Sequence, residues 1–254
     1  ALASELAGFL DAELDRNPAF DDALNLQFGV GSVGNAVVSA LESVELGDRD
    51  VAYFGEVLQD GVLDAIDDGL LGAASATSLA LSDEGQARLF ADLDRYAEAI
   101  VLRPADVSND PGLVDSFGVV AVNGAVEGDL TGQVNSTHSG TDLVGGIGGS
   151  GDFFRNALLS VAALPSTADG GALSRVVPRV AHVDHTEHDV DVVVTDQGVA
   201  DLRGRSPRER MAAMLDVAHP DFRDALATYH ERALGRGGHT PGGFDLAADW
   251  PPNR

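Results

Sequence analysis

Glu56 is the residue of this chain whose type and setting best suit covalent chemistry. It follows an apolar run, Val51–Phe54, and lies in the sequence Gly-Glu-Val-Leu-Gln-Asp at 55–60. Ligands of open α/β sheets bind where the strands end, and a carboxylate at such a place can attack an activated acyl group. An exposed acidic residue at a strand end is a common feature, so the catalytic interpretation depends on the neighbours of Glu56.

A first glycine-rich segment, Gly29-Val-Gly-Ser-Val-Gly34, has the form G-x-G-x-x-G. It lies between a predicted strand, Leu24–Phe28, and a predicted helix, Asn35–Val44, as a dinucleotide-binding turn does. Glu56 then stands where such a protein keeps its ribose-binding acid. A non-catalytic dinucleotide-binding domain that uses Gly29–Gly34 and Glu56 is therefore an alternative, and so is a plain strand-to-helix turn.

A second segment, Gly145–Gly151, contains five glycines in seven residues. Such a segment allows close approach of the backbone to a ligand, and its N–H groups could stabilise a developing oxyanion. A flexible surface loop is the alternative. We predict a helix over Phe153–Leu159 after this segment, with Asp152 as its N-cap.

Asn109 lies in the sequence Val-Ser-Asn-Asp-Pro-Gly at 107–112. An amide in this position could cap a turn or a helix, or it could hydrogen-bond a substrate carbonyl or carboxylate. The spacing alone leaves both roles open.

Three histidines, His182, His185 and His188, lie among acidic residues, and this spacing is compatible with a zinc site. The residues that follow predict a buried strand, Val190–Val194, and the chain has no His-Glu-x-x-His sequence. We therefore predict that these imidazoles form hydrogen bonds or face solvent, and that the protein uses no metal.

Strand and helix patterns alternate along most of the chain, which predicts an α/β fold with a largely parallel sheet. Further predicted helices include an amphipathic one that begins at Leu2 and a single helix over Asp83–Tyr96. Another starts at a capping box, Ser206 with Glu209, and ends near Val217. A last helix runs from Pro220 to a point before Gly235.

The composition points to the environment of the protein rather than to its reaction. The 254 residues carry 41 acidic and 16 basic side chains and no cysteine, for a net charge of −25. A charge of this sign repels nucleic acid and anionic membranes, and dispersed acidity with little lysine is typical of proteins adapted to high salt. We predict a cytoplasmic, salt-adapted protein that binds neither nucleic acid nor membranes.

Four segments resemble the C-terminal half of the acetyl-CoA hydrolase/CoA-transferase family, whose enzymes are class I, glutamate-dependent CoA transferases. The similar segments, with a continuation through Ala218–Arg223, are 29–36, 55–60, 147–153 and 185–204. The resemblance covers nearly the whole chain and implies a three-layer α/β/α domain over residues 1–235, followed by an irregular tail, 236–254. It also implies that an N-terminal half of similar size is absent from this chain.

The resemblance assigns the nucleophile of the family to Glu56 and its substrate-contacting asparagine to Asn109. It implies that Gly148 and Gly149 border the thioester and its oxyanion. The positions implied for coenzyme A binding are Gly29, Gly31, Asn35, Gly146, Ser150 and Asp196. At position 196 the family usually has glutamate, whereas this chain has aspartate, which is shorter by one methylene group.

The reaction implied by the resemblance needs no permanently bound cofactor, because coenzyme A enters and leaves as substrate and product. The implied partners are an acyl-CoA, a small carboxylate and the N-terminal half, and a homodimer is a further possibility. A catalytically silent fragment that only binds a partner is the remaining alternative.

Overall fold

The computed structural model describes residues 1–235 and 245–250, and these residues form two compact units. The N-terminal unit comprises Leu6–Asn123 and Gly149–Ser160. The C-terminal unit comprises Ala1–Glu5, Gly124–Gly148 and the described residues from Val161 onward.

The N-terminal unit alternates strands and helices. Its strands are β1 (Ala23–Phe28), β2 (Asp50–Phe54), β3 (Val57–Leu58), β4 (Ala73–Ala76), β5 (Ser78–Leu79), β6 (Ile100–Leu102) and β7 (Val120–Gly124). Its helices are α1 (Leu2–Arg16, in this unit from Leu6), α2 (Ser32–Leu41), α3 (Asp60–Asp67), α4 (Asp83–Ala91), α5 (Leu93–Ala99), α6 (Ala105–Ser108), α7 (Pro111–Ser116) and α8 (Ser150–Asn156), with a 3-10 turn at Pro18–Phe20.

Five of these strands form a parallel array in the order β7-β1-β2-β4-β6. Strands β1 and β2 pair from Ala23 opposite Asp50, and the side chains of Leu24 and Leu26 are fully buried. Because all five strands run in the same direction, their carboxyl ends meet at one edge of the array. That edge therefore carries the turn after β1 and the turn that contains Glu56.

The described residues of the C-terminal unit form shorter strands and several helices. Its strands are β8 (Glu127–Asp129), β9 (Val134–Asn135), β10 (His138–Ser139), β11 (Asp142–Leu143), β12 (Leu159–Ala163), β13 (Thr167–Ala168), β14 (Leu173–Ser174), β15 (Val176–Val177), β16 (Val192–Thr195) and β17 (Gly198–Asp201). Its helices are α9 (Pro207–Asp216), α10 (Pro220–Leu234) and α11 (Leu246–Asp249), with a 3-10 turn at Asp169–Gly171. In this unit β12 pairs in parallel with β16, and β17 pairs antiparallel with β16.

The α/β class and the largely parallel sheet are confirmed. The capping box is also confirmed, since the Ser206 side chain accepts from the backbone N–H of Glu209 and the Glu209 carboxylate accepts from the backbone N–H of Ser206. The valine run is buried at every position of β16. In each case the local pattern and the tertiary environment favour the same structure.

Three predicted helices are corrected by the structure. The helix predicted over Asn35–Val44 is α2, which begins earlier, at Ser32 inside the first glycine-rich segment, and ends at Leu41. The segment Asp83–Tyr96 forms two helices, α4 and α5, because Asp92 adopts φ −138° and ψ 53°, outside the helical region. The helix predicted over Phe153–Leu159 is α8, which begins earlier, inside the glycine-rich segment, and ends at Asn156. Leu159 instead begins strand β12.

The predicted domain bounds, 1–235, stay a prediction. In the tail predicted to be irregular, residues 236–244 and 251–254 lie outside the described residues, and a single helical turn, α11, occupies Leu246–Asp249. Within the described ranges, no helix has the length and apolar character that crossing a membrane requires.

Candidate active site

Glu56 lies directly after β2 at the carboxyl edge of the parallel array, and its backbone is held by the neighbouring segment. The carbonyl oxygen of Glu56 accepts hydrogen bonds from the backbone N–H groups of Thr77 (2.8 Å) and Ser78 (3.1 Å). The preceding residue, Gly55, donates to the carbonyl of Ser75 at 2.9 Å. These bonds fix the main chain that carries the half-buried Glu56 carboxylate.

Tyr53 supports the same turn from inside the unit. Its buried hydroxyl donates to the carbonyl of Val57 at 2.8 Å, and a Cβ on Gly55 would overlap that hydroxyl. Burial raises the pKa of Tyr53 well above its usual value, and the negative charge of Glu56 raises it further. The hydroxyl therefore stays protonated and remains a donor to the turn.

Gly149 brings the second glycine-rich segment against Glu56. Its backbone N–H donates to Oε2 of Glu56 at 2.8 Å. A Cβ at position 149 would overlap Oε2 of Glu56 and would lie 2.6 Å from Nδ2 of Asn109. Only glycine allows this approach, so the carboxylate, the backbone donor and the asparagine amide meet at one point.

Asn109 is the C-cap of α6, and its side chain pairs with Asp152. Nδ2 of Asn109 donates to Oδ2 of Asp152 at 3.0 Å, whereas Oδ1 of Asn109 is buried with no hydrogen-bond partner within the described residues. The prediction that Asp152 is an N-cap is wrong: Gly149 occupies that position, and Asp152 lies in the first turn of α8. A capping rule considers only neighbouring residues, so it could not indicate that Asp152 pairs with Asn109.

The first glycine-rich segment forms the expected strand-to-helix turn between β1 and α2. Gly31 has φ 88°, a backbone conformation that favours glycine, and its N–H donates to Oε1 of Gln59 at 3.1 Å. Gly34 is packed so tightly that a Cβ would lie 2.5 Å from both Nε2 of Gln59 and the carbonyl oxygen of Gly29. Gln59 thus ties this turn to the segment that carries Glu56.

The remaining predicted coenzyme A contacts are distributed over both units. Asn35 is exposed in the first turn of α2, and Ser150 is the half-buried first residue of α8. Gly146 and Gly148 are exposed and belong to the C-terminal unit, where Gly148 has φ 54°. The N-terminal unit therefore brings together Glu56, Asn109 and Gly149, with Gly29 and Gly31 in the adjoining turn.

Asp196 follows β16 in the C-terminal unit and is engaged by its own turn. Its carboxylate accepts from the backbone N–H of Ser166 and from Nε2 of Gln197, the latter at 2.8 Å. Burial acts to raise the pKa of Asp196, but these hydrogen bonds outweigh burial and lower the pKa. Within the described part of the unit, Asp196 orders a turn, and its contact with coenzyme A stays a prediction.

The three histidines have different environments. Nε2 of His182 lies 3.2 Å from Oδ1 of Asp184, His185 is fully buried, and His188 is mostly exposed. Among the described residues, no three His, Asp or Glu side chains converge in a way that could hold a metal ion.

Three further residues of the N-terminal unit were not singled out as site residues from the sequence. In the sequence, Gln59 was noted only as one residue of the segment Gly-Glu-Val-Leu-Gln-Asp at 55–60. Gln27 and Asn123 are buried at the ends of β1 and β7, where their amides exchange hydrogen bonds of 3.1 Å and 2.7 Å. A polar residue at the end of an otherwise apolar strand is the signal that could have indicated this pair.

The fold and the site define an α/β protein with a half-buried carboxylate beside the backbone N–H of a glycine-rich segment. Residues 85–230 match the model of the acetyl-CoA hydrolase/transferase C-terminal domain, and the chain belongs to this family.

The family contains both transferases and hydrolases. The chain is 44% identical over 253 residues to a succinyl-CoA:acetate CoA-transferase of Clostridium kluyveri, covering 98% of this chain and 47% of the relative. It is 42% identical to an acetyl-CoA hydrolase of Eremothecium gossypii, covering 92% of this chain and 45% of the relative. The chain therefore spans about half the length of the curated relatives that it matches.

A solved structure supports the same relationship. The crystal structure of a 4-hydroxybutyrate CoA-transferase from Porphyromonas gingivalis aligns with a TM-score of 0.70 at 28% identity, covering 91% of this chain and 54% of that one. The predicted CoA-transferase-like fold is thereby confirmed.

Proposed function

We propose that this chain carries the nucleophile of an enzyme that moves coenzyme A between an acyl-CoA thioester and a small carboxylate, and that the nucleophile is Glu56. The observation that carries the proposal is the hydrogen bond from the Gly149 N–H to Oε2 of Glu56, next to the amide of Asn109. Within the described residues only Oε2 of this carboxylate accepts a hydrogen bond, so Oε1 is available to attack.

In the proposed first step, a carboxylate oxygen of Glu56 attacks the thioester carbonyl carbon. The C–S bond breaks, coenzyme A leaves as the thiolate, and an acyl-glutamyl anhydride remains. The thiolate then attacks the glutamyl carbonyl, which releases the acyl group as a free carboxylate and leaves a glutamyl-CoA thioester. The covalent intermediates on Glu56 divide one difficult exchange into easier steps.

The second half of the reaction reverses these steps with a new carboxylate. An acceptor carboxylate attacks the glutamyl thioester and displaces the CoA thiolate, which then attacks the acceptor carbonyl and frees Glu56. If water attacks the glutamyl thioester instead, the products are coenzyme A and free Glu56, and the net reaction is hydrolysis. The names of the relatives include both outcomes, and the acceptor decides between them.

The N–H of Gly149 and the amide of Asn109 have the chemistry that the tetrahedral oxyanion requires. Both are hydrogen-bond donors, and both lie beside the Glu56 carboxylate before the reaction begins. Donors that are fixed in advance stabilise developing charge without reorganisation. The half-buried setting of Glu56 reduces competition from water.

The test is mass spectrometry of the protein after incubation with acetyl-CoA, with this chain supplied together with the N-terminal half of the family. We expect a CoA-sized mass increase on the peptide that contains Glu56. Glu56→Ala should lose the adduct and reduce turnover by about 10⁴-fold or more, whereas Glu98→Gln, which changes an exposed carboxylate, should retain both.

Turnover by Glu56→Ala within a few-fold of the unmodified protein would exclude the covalent role. Nicotinamide dinucleotide binding without an adduct would favour the dinucleotide alternative. Neither binding nor an adduct would favour a silent, partner-binding role.

A further inference from the structure

We infer that Asp152 is a positioning residue for the reaction: its carboxylate holds the Asn109 amide so that the NH2 group, and not the oxygen, faces the reacting carbonyl beside Glu56. The inference rests on the proposed function of Glu56 and adds a residue to it. Asp152 itself touches no reacting atom, since it acts through Asn109.

The hydrogen bond between the two side chains determines which way the amide points. An ionised carboxylate can only accept hydrogen bonds, so the Asn109 atom 3.0 Å from Oδ2 of Asp152 is the amide nitrogen. The reverse orientation would bring the amide oxygen against the carboxylate, where the two negative oxygens repel each other.

Asp152 is well held for this purpose by α8. Its backbone N–H donates to the carbonyl of Gly149 at 2.9 Å, and its carbonyl accepts from Nδ2 of Asn156 at 2.7 Å. The same helical turn therefore carries the Gly149 donor and the carboxylate that orients the Asn109 donor. The two donors keep a fixed relation to each other because they share this turn.

The oxygen of the Asn109 amide does not help to fix the orientation of that amide. Oδ1 is buried without a partner among the described residues, so Asp152 provides the side-chain hydrogen bond that selects the orientation. An amide nitrogen has two hydrogens, and Asp152 takes one. The other is free for the oxyanion at the point where Asn109 and Gly149 approach each other.

The effect of Asp152 should arise from orientation rather than from charge. The Asp152 carboxylate is exposed, and water and ions screen an exposed charge strongly. Its field at the reacting carbon is therefore weak, while its hydrogen bond to Asn109 is direct. Asp152→Asn keeps an oxygen that can accept from Asn109 and removes the charge, so it separates the two effects.

The experiment compares Asp152→Ala and Asp152→Asn with Asp106→Ala in the transfer and adduct assays described above. Asp106 is a matched control because it is also an exposed acid in the first turn of a short helix, α6. We expect Asp152→Ala to lower kcat about 10-fold with little change in KM, a smaller loss than the removal of a whole oxyanion donor. Asp152→Asn should restore most of the loss, and Asp106→Ala should have no effect.

A double-mutant cycle with Asn109 tests whether Asp152 acts through that residue. If it does, Asp152→Ala should cause no further loss in an Asn109→Ala protein, because coupled residues are not additive. The inference would be overturned if Asp152→Ala lowered kcat by the same factor with and without Asn109→Ala. It would also be overturned if the Asp152→Asn protein were as impaired as the Asp152→Ala protein.

A spectroscopic measurement gives a readout that does not depend on turnover. In the ¹⁵N spectrum of the protein, Asp152→Ala should move the side-chain NH2 signals of Asn109 and speed their exchange with water, and Asp106→Ala should not. Unchanged Asn109 signals would also overturn the inference. Failure of the proposed function has a different signature, since the Glu56 peptide of the unmodified protein would then remain without an adduct.

Discussion

The backbone N–H of Gly149 donates a 2.8 Å hydrogen bond to Oε2 of Glu56, a residue 93 positions earlier in the chain. The contact joins the turn after β2 to the first turn of α8, two segments of the N-terminal unit. It is possible only because position 149 has no side chain. The carboxylate is thereby held against a fixed backbone donor, and we propose that this donor also serves the oxyanion.

Gly149→Ala should disable the site while largely preserving the fold. The added Cβ would overlap Oε2 of Glu56 and crowd the Asn109 amide, so the donor and the carboxylate must move apart. We expect a loss of about 100-fold in kcat, with a cost of about 1–3 kcal/mol in the free energy of unfolding.

The control for this substitution is Gly145→Ala in the same glycine-rich segment, where the added Cβ would meet nothing within 4 Å. Steady-state kinetics and thermal melts of the two variants give the comparison. Equal activity of the two variants would show that close packing at position 149 is unimportant.

The sequence was most informative where function depends on a short linear segment. Glu56 could be singled out because an apolar strand and a carboxylate are adjacent in the chain. The pairing of Asn109 with Asp152 spans 43 residues, and a pattern in one segment carries no information about a partner in another. Asp152 was assigned to a cap because capping rules are local, whereas its tertiary partner determines its role.

The boundaries of helices and strands could likewise be predicted only where a local sequence signal marks them. The apolar spacing of Asp83–Tyr96 suits one continuous helix, and nothing in the local pattern predicts the non-helical backbone of Asp92. The ends of α9 and α10 were predicted well because a capping box and a following glycine mark them within the sequence itself.

Because of Asp184, the free energy of unfolding should depend on pH in the acidic range. Its carboxylate accepts from the backbone N–H of Ser136 at 2.8 Å and from Oγ1 of Thr137 at 2.7 Å. Burial acts to raise the pKa of Asp184, but these bonds and the nearby His182 outweigh burial and lower the pKa. A lowered pKa stabilises the folded state above the unfolded-state value of about 3.9, and this contribution is lost as the pH falls through the folded-state pKa.

Asp184→Asn should therefore lower the free energy of unfolding by about 1–3 kcal/mol at pH 7. The difference from the unmodified protein should shrink as the pH falls below about 4, because the carboxyl of the unfolded chain takes up a proton before the folded-state carboxylate does. Urea unfolding at several pH values measures this difference, with the exposed Asp142→Asn as control. A constant difference from pH 7 to pH 3 would contradict the assignment.

Salt should stabilise the folded chain. The net charge is −25 and all sixteen basic residues are arginine, so unbalanced carboxylates repel one another in dilute buffer and dissolved ions screen the repulsion. We expect the melting temperature to rise from low to molar sodium chloride. Chloride is preferable to sulfate because sulfate also stabilises proteins by exclusion from their surface. A melting temperature that does not change would argue against salt adaptation.

The 254-residue chain should be inactive or nearly so on its own, although Glu56 is present. The chain spans about half the length of the relatives that it matches, and we propose that the other half completes the substrate site. Catalysis at the thioester draws on binding energy from the long pantetheine and nucleotide arm of coenzyme A. With 41 acidic side chains, the field of this chain repels the phosphates of that arm, so a second wall must supply attraction.

The measurement is transfer and hydrolysis of acetyl-CoA by the chain alone and after addition of the N-terminal half, with sedimentation to detect a homodimer. We expect turnover and the Glu56 adduct to appear only after addition, and a Glu56→Ala chain with the same N-terminal half should remain inactive. The last comparison is needed because activity intrinsic to the added half would otherwise be mistaken for a completed site. Full turnover by the chain alone would mean that Glu56, Asn109 and Gly149 suffice with the rest of this chain, and the two-half proposal would then be wrong.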